Sequence, residues 1–176
     1  MFSITDEFVA DWELTCKRFA AWWRNEVLDR PLALMTINRT VPRNPLRNLP
    51  RQDPVERLLL DPQYAVDSME NFLASQDFLG DALPQAGRGI GVGTLGALAG
   101  AIPHYSSNTV WVNPCVENWR SISLPQFNPK AGLFPRTLDV ADALRDNCRG
   151  RYLLAVPDLL DAATTMSQMQ PAEELI

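Results

Sequence analysis

Apolar positions near the start of the chain recur at helical spacing. Phe8, Trp12, Cys16, Phe19, Trp23 and Val27 stand three or four residues apart, which gathers them on one helical face. Ser3 or Thr5 suits the cap, and Asp6 and Glu7 favour the positive end of the helix. The helix must stop before Asp29-Arg30-Pro31, because a residue preceding proline is pushed out of the helical region. Residues 31–38 are then mostly apolar without alternation and bounded by breakers, which predicts a strand buried on both faces. Pro42, Pro45, Pro50 and Pro54 forbid a continuous helix in the next segment. Asp61-Pro62 opens a second helix, an Asp cap followed by proline at the first helical position, with Ala65, Met69, Phe72, Leu73 and Gln76 on its buried side.

Residues 78–84 read as a second short strand. Residues 87–100 read as a glycine-rich loop leading into a helix packed closely through Ala97, Ala99 and Ala101. Residues 109–113 alternate and predict one arm of a hairpin. Thr137 suits the cap of a third helix, whose face is Leu138, Ala141, Leu144 and Cys148 and which Gly150 ends. Residues 152–157 predict a third buried strand. A last helix follows Asp158 and fades at Gln170-Pro171. Strands alternating with helices imply an α/β fold: about three parallel strands with crossover helices, plus a small β-hairpin, in a single domain over residues 1–176.

Composition narrows the function classes. The chain has 176 residues, a net charge of −5 and 46% hydrophobic residues, enough for a core and too apolar for disorder. A pI near 4.9 argues against nucleic acid as a partner. No apolar run approaches membrane-spanning length. Acids stand at the N-terminus where a signal peptide needs bases, so a cytoplasmic protein is expected. Cys16, Cys115 and Cys148 are far apart and form no metal-binding pair, and His104 is the single histidine. No metal ligand set and no cofactor are expected in this chain.

Several residues invite a functional reading beside a plainer one. Gly91, Gly93 and Gly96 fit G-x-G-x-x-G, with Glu117 further on, but no strand directly precedes them. Tight turns and close helix packing are the favoured reading there, and a nucleotide-binding α/β module is the alternative. Arg39, Arg43, Arg47 and Arg51 form a run with no acid until Asp53. Arginine forks bind carboxylates, so Arg39 and Arg43 are candidate ligands for an acidic small-molecule substrate; pairing with surface acids is the plainer reading. Asp81 ends a predicted strand and is the candidate catalytic carboxylate, able to hold a cation, pyrrole N–H groups or a proton. Asp158 has the same placement after the third strand and is a candidate substrate ligand. His104, Cys115, Trp111 and Trp119 read as surface or packing residues.

The segments Phe19-Ala20-Ala21-Trp22-Trp23, Asp29-Arg30-Pro31, Gly80-Asp81-Ala82, Gly96-Ala97-Leu98-Ala99-Gly100, residues 109–114, Gly150-Arg151-Tyr152 and Val156-Pro157-Asp158-Leu159 stand in a telling order. In that order and at those intervals they resemble the uroporphyrinogen decarboxylase-like superfamily, in its divergent branch. The resemblance implies a (β/α)₈ barrel, of which this chain matches the N-terminal half: a partial, TIM-type barrel. It implies decarboxylase chemistry or corrinoid and thiol methyl transfer in the full-length family, with the chain expected to be inactive alone. Pro31 and Met35 fit the decarboxylase's first strand, while its arginine positions fall on Thr36 and Thr40, with Arg39 one place off. Asp81 matches its essential aspartate by position. In the methyltransferase relatives zinc and a corrinoid take part, with zinc ligands from the C-terminal half. A second reading is a non-catalytic remnant or subunit that works by self-association or with a partner chain through exposed sheet edges.

Overall fold

The computed structural model describes residues 7–49, 59–87, 93–106, 110–118, 129–130 and 132–171. Among these the chain is mixed α/β. Its elements run α1 (Trp12–Trp23), β1 (Leu34–Asn38), α2 (Pro62–Ser75), β2 (Gln76–Gly80), β3 (Gln85–Gly87), α3 (Thr94–Leu98), β4 (Ile102–Tyr105), β5 (Val110–Asn113), α4 (Leu133–Cys148), β6 (Leu153–Ala155) and α5 (Ala162–Met169). The strands form three two-stranded sheets, β1-β2, β3-β6 and β4-β5. The chain divides into two compact units. The first is Met1–Leu49, Val66–Ala86 and Leu144–Leu154; the second is Pro50–Ala65, Gly87–Ala143 and Ala155–Ile176.

In the first unit α1 is capped by Asp11, whose side chain accepts the Leu14 N–H at 2.9 Å. Ser3 and Thr5, the predicted caps, lie outside the described residues. The helix ends at Trp23, and Asn25 follows in the left-handed region with φ 57°. Its buried residues are Thr15 and Ala21, whereas Cys16 and Trp23 are exposed. The predicted apolar stripe is therefore only partly inward, with Phe8 buried and Trp12 and Phe19 half-buried, and Arg18, between Thr15 and Ala21, shares the inward face.

The array of three parallel buried strands does not form. β1 and β2 pair antiparallel, from Leu34↔Gly80 to Asn38↔Gln76. Every residue of β1 is exposed, and among the described residues its sheet has two strands. The predicted strand over residues 78–84 is split: β2 ends at Gly80 and β3 begins at Gln85. The predicted third strand forms as β6, paired with β3 and not with β1 or β2. That pair is the parallel one.

α2 starts at Pro62 as its sequence predicts, with Asp61 accepting the Tyr64 N–H at 3.0 Å. It runs into β2 with no residue between them. Arg43 closes this junction: it donates to the carbonyls of Leu73 and Gln76, and its own N–H donates to Ala74 O at 2.9 Å. The interior of the unit holds Phe8, Met69, Leu73, Leu144 and Tyr152. Phe78 meets Phe8 and Phe72 edge-on at 6.1 and 5.7 Å. The fully buried Tyr152 donates its hydroxyl to Leu144 O at 2.7 Å.

In the second unit the predicted hairpin arm forms as β5 and pairs antiparallel with β4, Ile102↔Asn113 through Tyr105↔Val110. Ala97 and Val110 pack with Leu59, Tyr105, Val112 and Leu133, and Ala101 packs with Val116 and Met169. α5 is capped by Asp161, which accepts the Thr164 N–H at 3.0 Å, so it begins later than Asp158. α4 begins at Leu133, ahead of Thr137, because Pro135 falls in the first turn, where its missing N–H costs no helical bond. Thr137 donates instead to Phe134 O.

Candidate functional site: a buried carboxylate between arginines

The site begins with a glycine. Gly80 ends β2 at φ +69°, and a Cβ there would stand 2.3 Å from Ala33 O. Only glycine fits that approach. The turn brings the Asp81 N–H to Ala33 O at 2.7 Å and leaves the Asp81 side chain with 0% of its surface exposed.

Four donors meet this carboxylate. Oδ2 accepts from Arg30 Nη1 at 2.5 Å and from the Ala33 N–H at 3.1 Å. Oδ1 accepts from Arg30 Nη2 and Arg18 Nη1, both at 3.1 Å. Arg18, reaching from α1, also grips Asp29 through Nε at 2.8 Å and Nη2 at 2.6 Å. Burial pushes the Asp81 carboxyl up, but the bonds from Arg30, Ala33 and Arg18 outweigh it and hold the group below the usual carboxylate range. The Arg18 guanidinium holds the Asp29 carboxyl at about 2. Asp29 in turn raises Arg18 further above the ordinary arginine value. A carboxylate offers about four lone-pair directions. All are used within the chain, so Asp81 joins α1, the segment before β1 and the end of β2. A pyrrole N–H or a cation could reach it only by displacing Arg30.

The candidate substrate arginines are also engaged. Asp77 Oδ1 accepts from Arg39 Nη1 at 2.7 Å and from Arg43 Nη2 at 2.6 Å. Arg43 lies over the Phe8 ring, 5.4 Å from its centroid, and Arg47 pairs with Asp67 at 2.7 Å. Pairing with nearby acids, the plainer reading, describes all three. Arg51 and Asp53 lie outside the described residues. Asp158 is exposed and belongs to the second unit.

Gly93 and Gly96 serve packing. A Cβ on Gly93 would come within 2.9 Å of Val112 Cγ1, and one on Gly96 within 3.2 Å of Gln168 Oε1. The space their missing side chains leave is filled by the protein itself. Gly91 and Trp119 lie outside the described residues. His104 stacks on its cross-strand neighbour Trp111 at 6.1 Å. Cys115 is exposed, and desolvation raises its thiol. Among the described residues no cluster of three or more His, Cys, Asp or Glu could hold a metal ion, and no helix is long and apolar enough to cross a membrane.

Sequence reasoning singled out Asp81 but missed its partners. Arg18 looks like a solvated helix charge, and Asp29-Arg30-Pro31 reads as a helix stop. One signal was available: Arg18 stands three residues from both Thr15 and Ala21, on the face that small residues mark as inward. No protein-family model matches this chain, and no significant match is found among curated proteins or solved structures.

Proposed function

We propose that the chain is a uroporphyrinogen decarboxylase-like α/β protein, of the class whose chemistry is decarboxylation or methyl transfer between corrinoid and thiol. The single observation that carries the reading is the parallel pairing of β3 and β6, whose connection holds α3, the β4–β5 hairpin and then α4. Strand, helix and parallel strand make the repeating unit of a (β/α)₈ barrel. In this reading β3 and β6 are the barrel-type strands, and the antiparallel β1–β2 pair stands outside that sheet. The motif segments 29–31 and 80–82 also meet in one ion-pair network, which supports treating them as parts of one pattern. Asp81 has a positioning role here, since its oxygens are occupied by Arg18, Arg30 and Ala33. Zinc finds no ligand cluster among the described residues.

The test pairs two assays on the purified chain. Uroporphyrinogen is followed for loss of carboxylates by chromatography, and methylcobalamin with a thiol is followed by absorbance. No turnover is expected in either. Turnover lost in Asp81→Asn would assign Asp81 to catalysis and overturn its positioning role. An experimental structure with β3 and β6 antiparallel would remove the family reading.

A further inference from the structure

We propose that a small polar cavity in the first unit binds one water molecule, which bridges Glu70 of α2 to the chain at Arg43 and Asn44. None of the cavity's residues belongs to the Asp81 network, and the inference does not depend on the family reading.

The size of the cavity sets the size of its guest. It measures about 20 Å³. One water needs about 10–15 Å³ of such space, so the cavity takes a single water and nothing larger. Its polar wall is made by Glu7, Arg43, Asn44, Glu70 and Arg151, all within one compact unit. Ala74, 5% exposed, adds carbon to the wall.

The charge of the wall sets the nature of the guest. Two carboxylates, Glu7 and Glu70, oppose two guanidinium groups, Arg43 and Arg151. The four formal charges cancel. An ion would give up its hydration shell for a site with no net charge to hold it. A water is a neutral dipole that donates to one sign and accepts from the other, so it suits both.

The groups around the cavity keep bonds to spare. Glu70 Oε1 accepts from Asn147 Nδ2 at 2.8 Å and from Arg151 Nη2 at 2.5 Å. Glu70 Oε2 accepts from Arg151 Nη1 alone, at 3.0 Å. A carboxylate oxygen has two lone pairs, so one on Oε2 is left over. Arg43 spends Nη1 on the carbonyls of Leu73 and Gln76 and Nη2 on Asp77, and its Nε–H enters none of these bonds. The Asn44 amide takes part in no hydrogen bond among the described residues. The water donates to Glu70 Oε2 and accepts from Asn44 and Arg43 Nε. These three partners fall within the usual two to four of a bound water.

A crystal structure of the full chain at atomic resolution, with a bromide soak and a rubidium soak, tests the proposal. One water is expected at about 2.7–3.2 Å from Glu70 Oε2 and from Asn44 or Arg43. An anomalous bromide or rubidium peak there overturns the neutral guest, and a cavity closed by a side chain overturns the site. Oxygen-17 relaxation dispersion gives the solution readout. Wild type should show a water that outlives molecular tumbling, and Ala74→Val, whose two added carbons take the water's place, should lose one such water. If that variant unfolds, Asn44→Ala removes one partner from an exposed position and should shorten the residence time at least twofold. A dispersion that a folded Ala74→Val leaves intact, or a residence time that Asn44→Ala leaves unchanged, overturns the proposal.

Discussion

Replacing Asp81 by alanine tests the energetic reading of the arginine network. The carboxylate is fully buried and accepts four hydrogen bonds, three of them from guanidinium groups. Removing one side of a buried ion pair costs about 3–5 kcal/mol when the other charge stays trapped. Here neither arginine is trapped. Arg30 is 36% exposed and can turn to solvent, and Arg18 keeps its fork on Asp29. The loss should therefore fall near the lower end, about 3 kcal/mol. Urea denaturation followed by tryptophan fluorescence reads it, because Trp12, Trp22 and Trp23 sit on the helix that Arg18 ties down. The acid limb gives a second readout. Folding lowers the carboxyl values of Asp81 and Asp29 from 3.8, so their contribution is complete above that value and is lost as the pH falls, toward about 2 for Asp29. Wild-type stability should drop across that window, and the drop should be smaller in Asp81→Ala. A loss below about 1 kcal/mol, the range of exposed pairs, with an unchanged acid limb would refute the argument.

Gly80→Ala should cost more than 1 kcal/mol in the same urea experiment, because a positive φ and a 2.3 Å approach to Ala33 O combine there. Full stability would mean that the turn relaxes freely. Gly93→Val should overpack Val112 and cost about 1–3 kcal/mol, while calorimetric titration of the wild type with NAD, NADP or FAD should give no saturable heat. A saturable heat abolished by this variant would restore the nucleotide reading. Tyr152→Phe should cost about 1 kcal/mol, because the buried hydroxyl's bond to Leu144 O is lost; melting followed by circular dichroism measures it.

Local chemistry was legible in the sequence, and pairing was not. Asp61-Pro62 announced α2 because a cap and a first-turn proline act within one helical turn. Residues 110–113 announced a hairpin arm because alternation is a property of the strand itself. Residues 34–38 were legible as a strand, but an unalternating apolar run is the same whether its partner runs parallel or antiparallel. The direction depends on Gly80 and Asp81, more than forty residues away, which fasten to Ala33. Asp81 could be picked out because it follows a strand and a glycine. Its partners could not, because an arginine on a helix has the same sequence signature whether it meets water or a buried carboxylate.

The abrupt passage from α2 into β2 also governs where the chain can change length. With Ser75 the last helical residue and Gln76 the first of the strand, the helix acts as a ruler for the sheet. One inserted residue near the junction would turn every side chain of β2 to the opposite face. Asp77 would then leave Arg39 and Arg43, and Phe78 would leave the rings of Phe8 and Phe72. Insertions and deletions in relatives should therefore avoid residues 62–81 and collect in the proline-rich segment before α2. Alternative spacings there leave the phase of the strand unchanged.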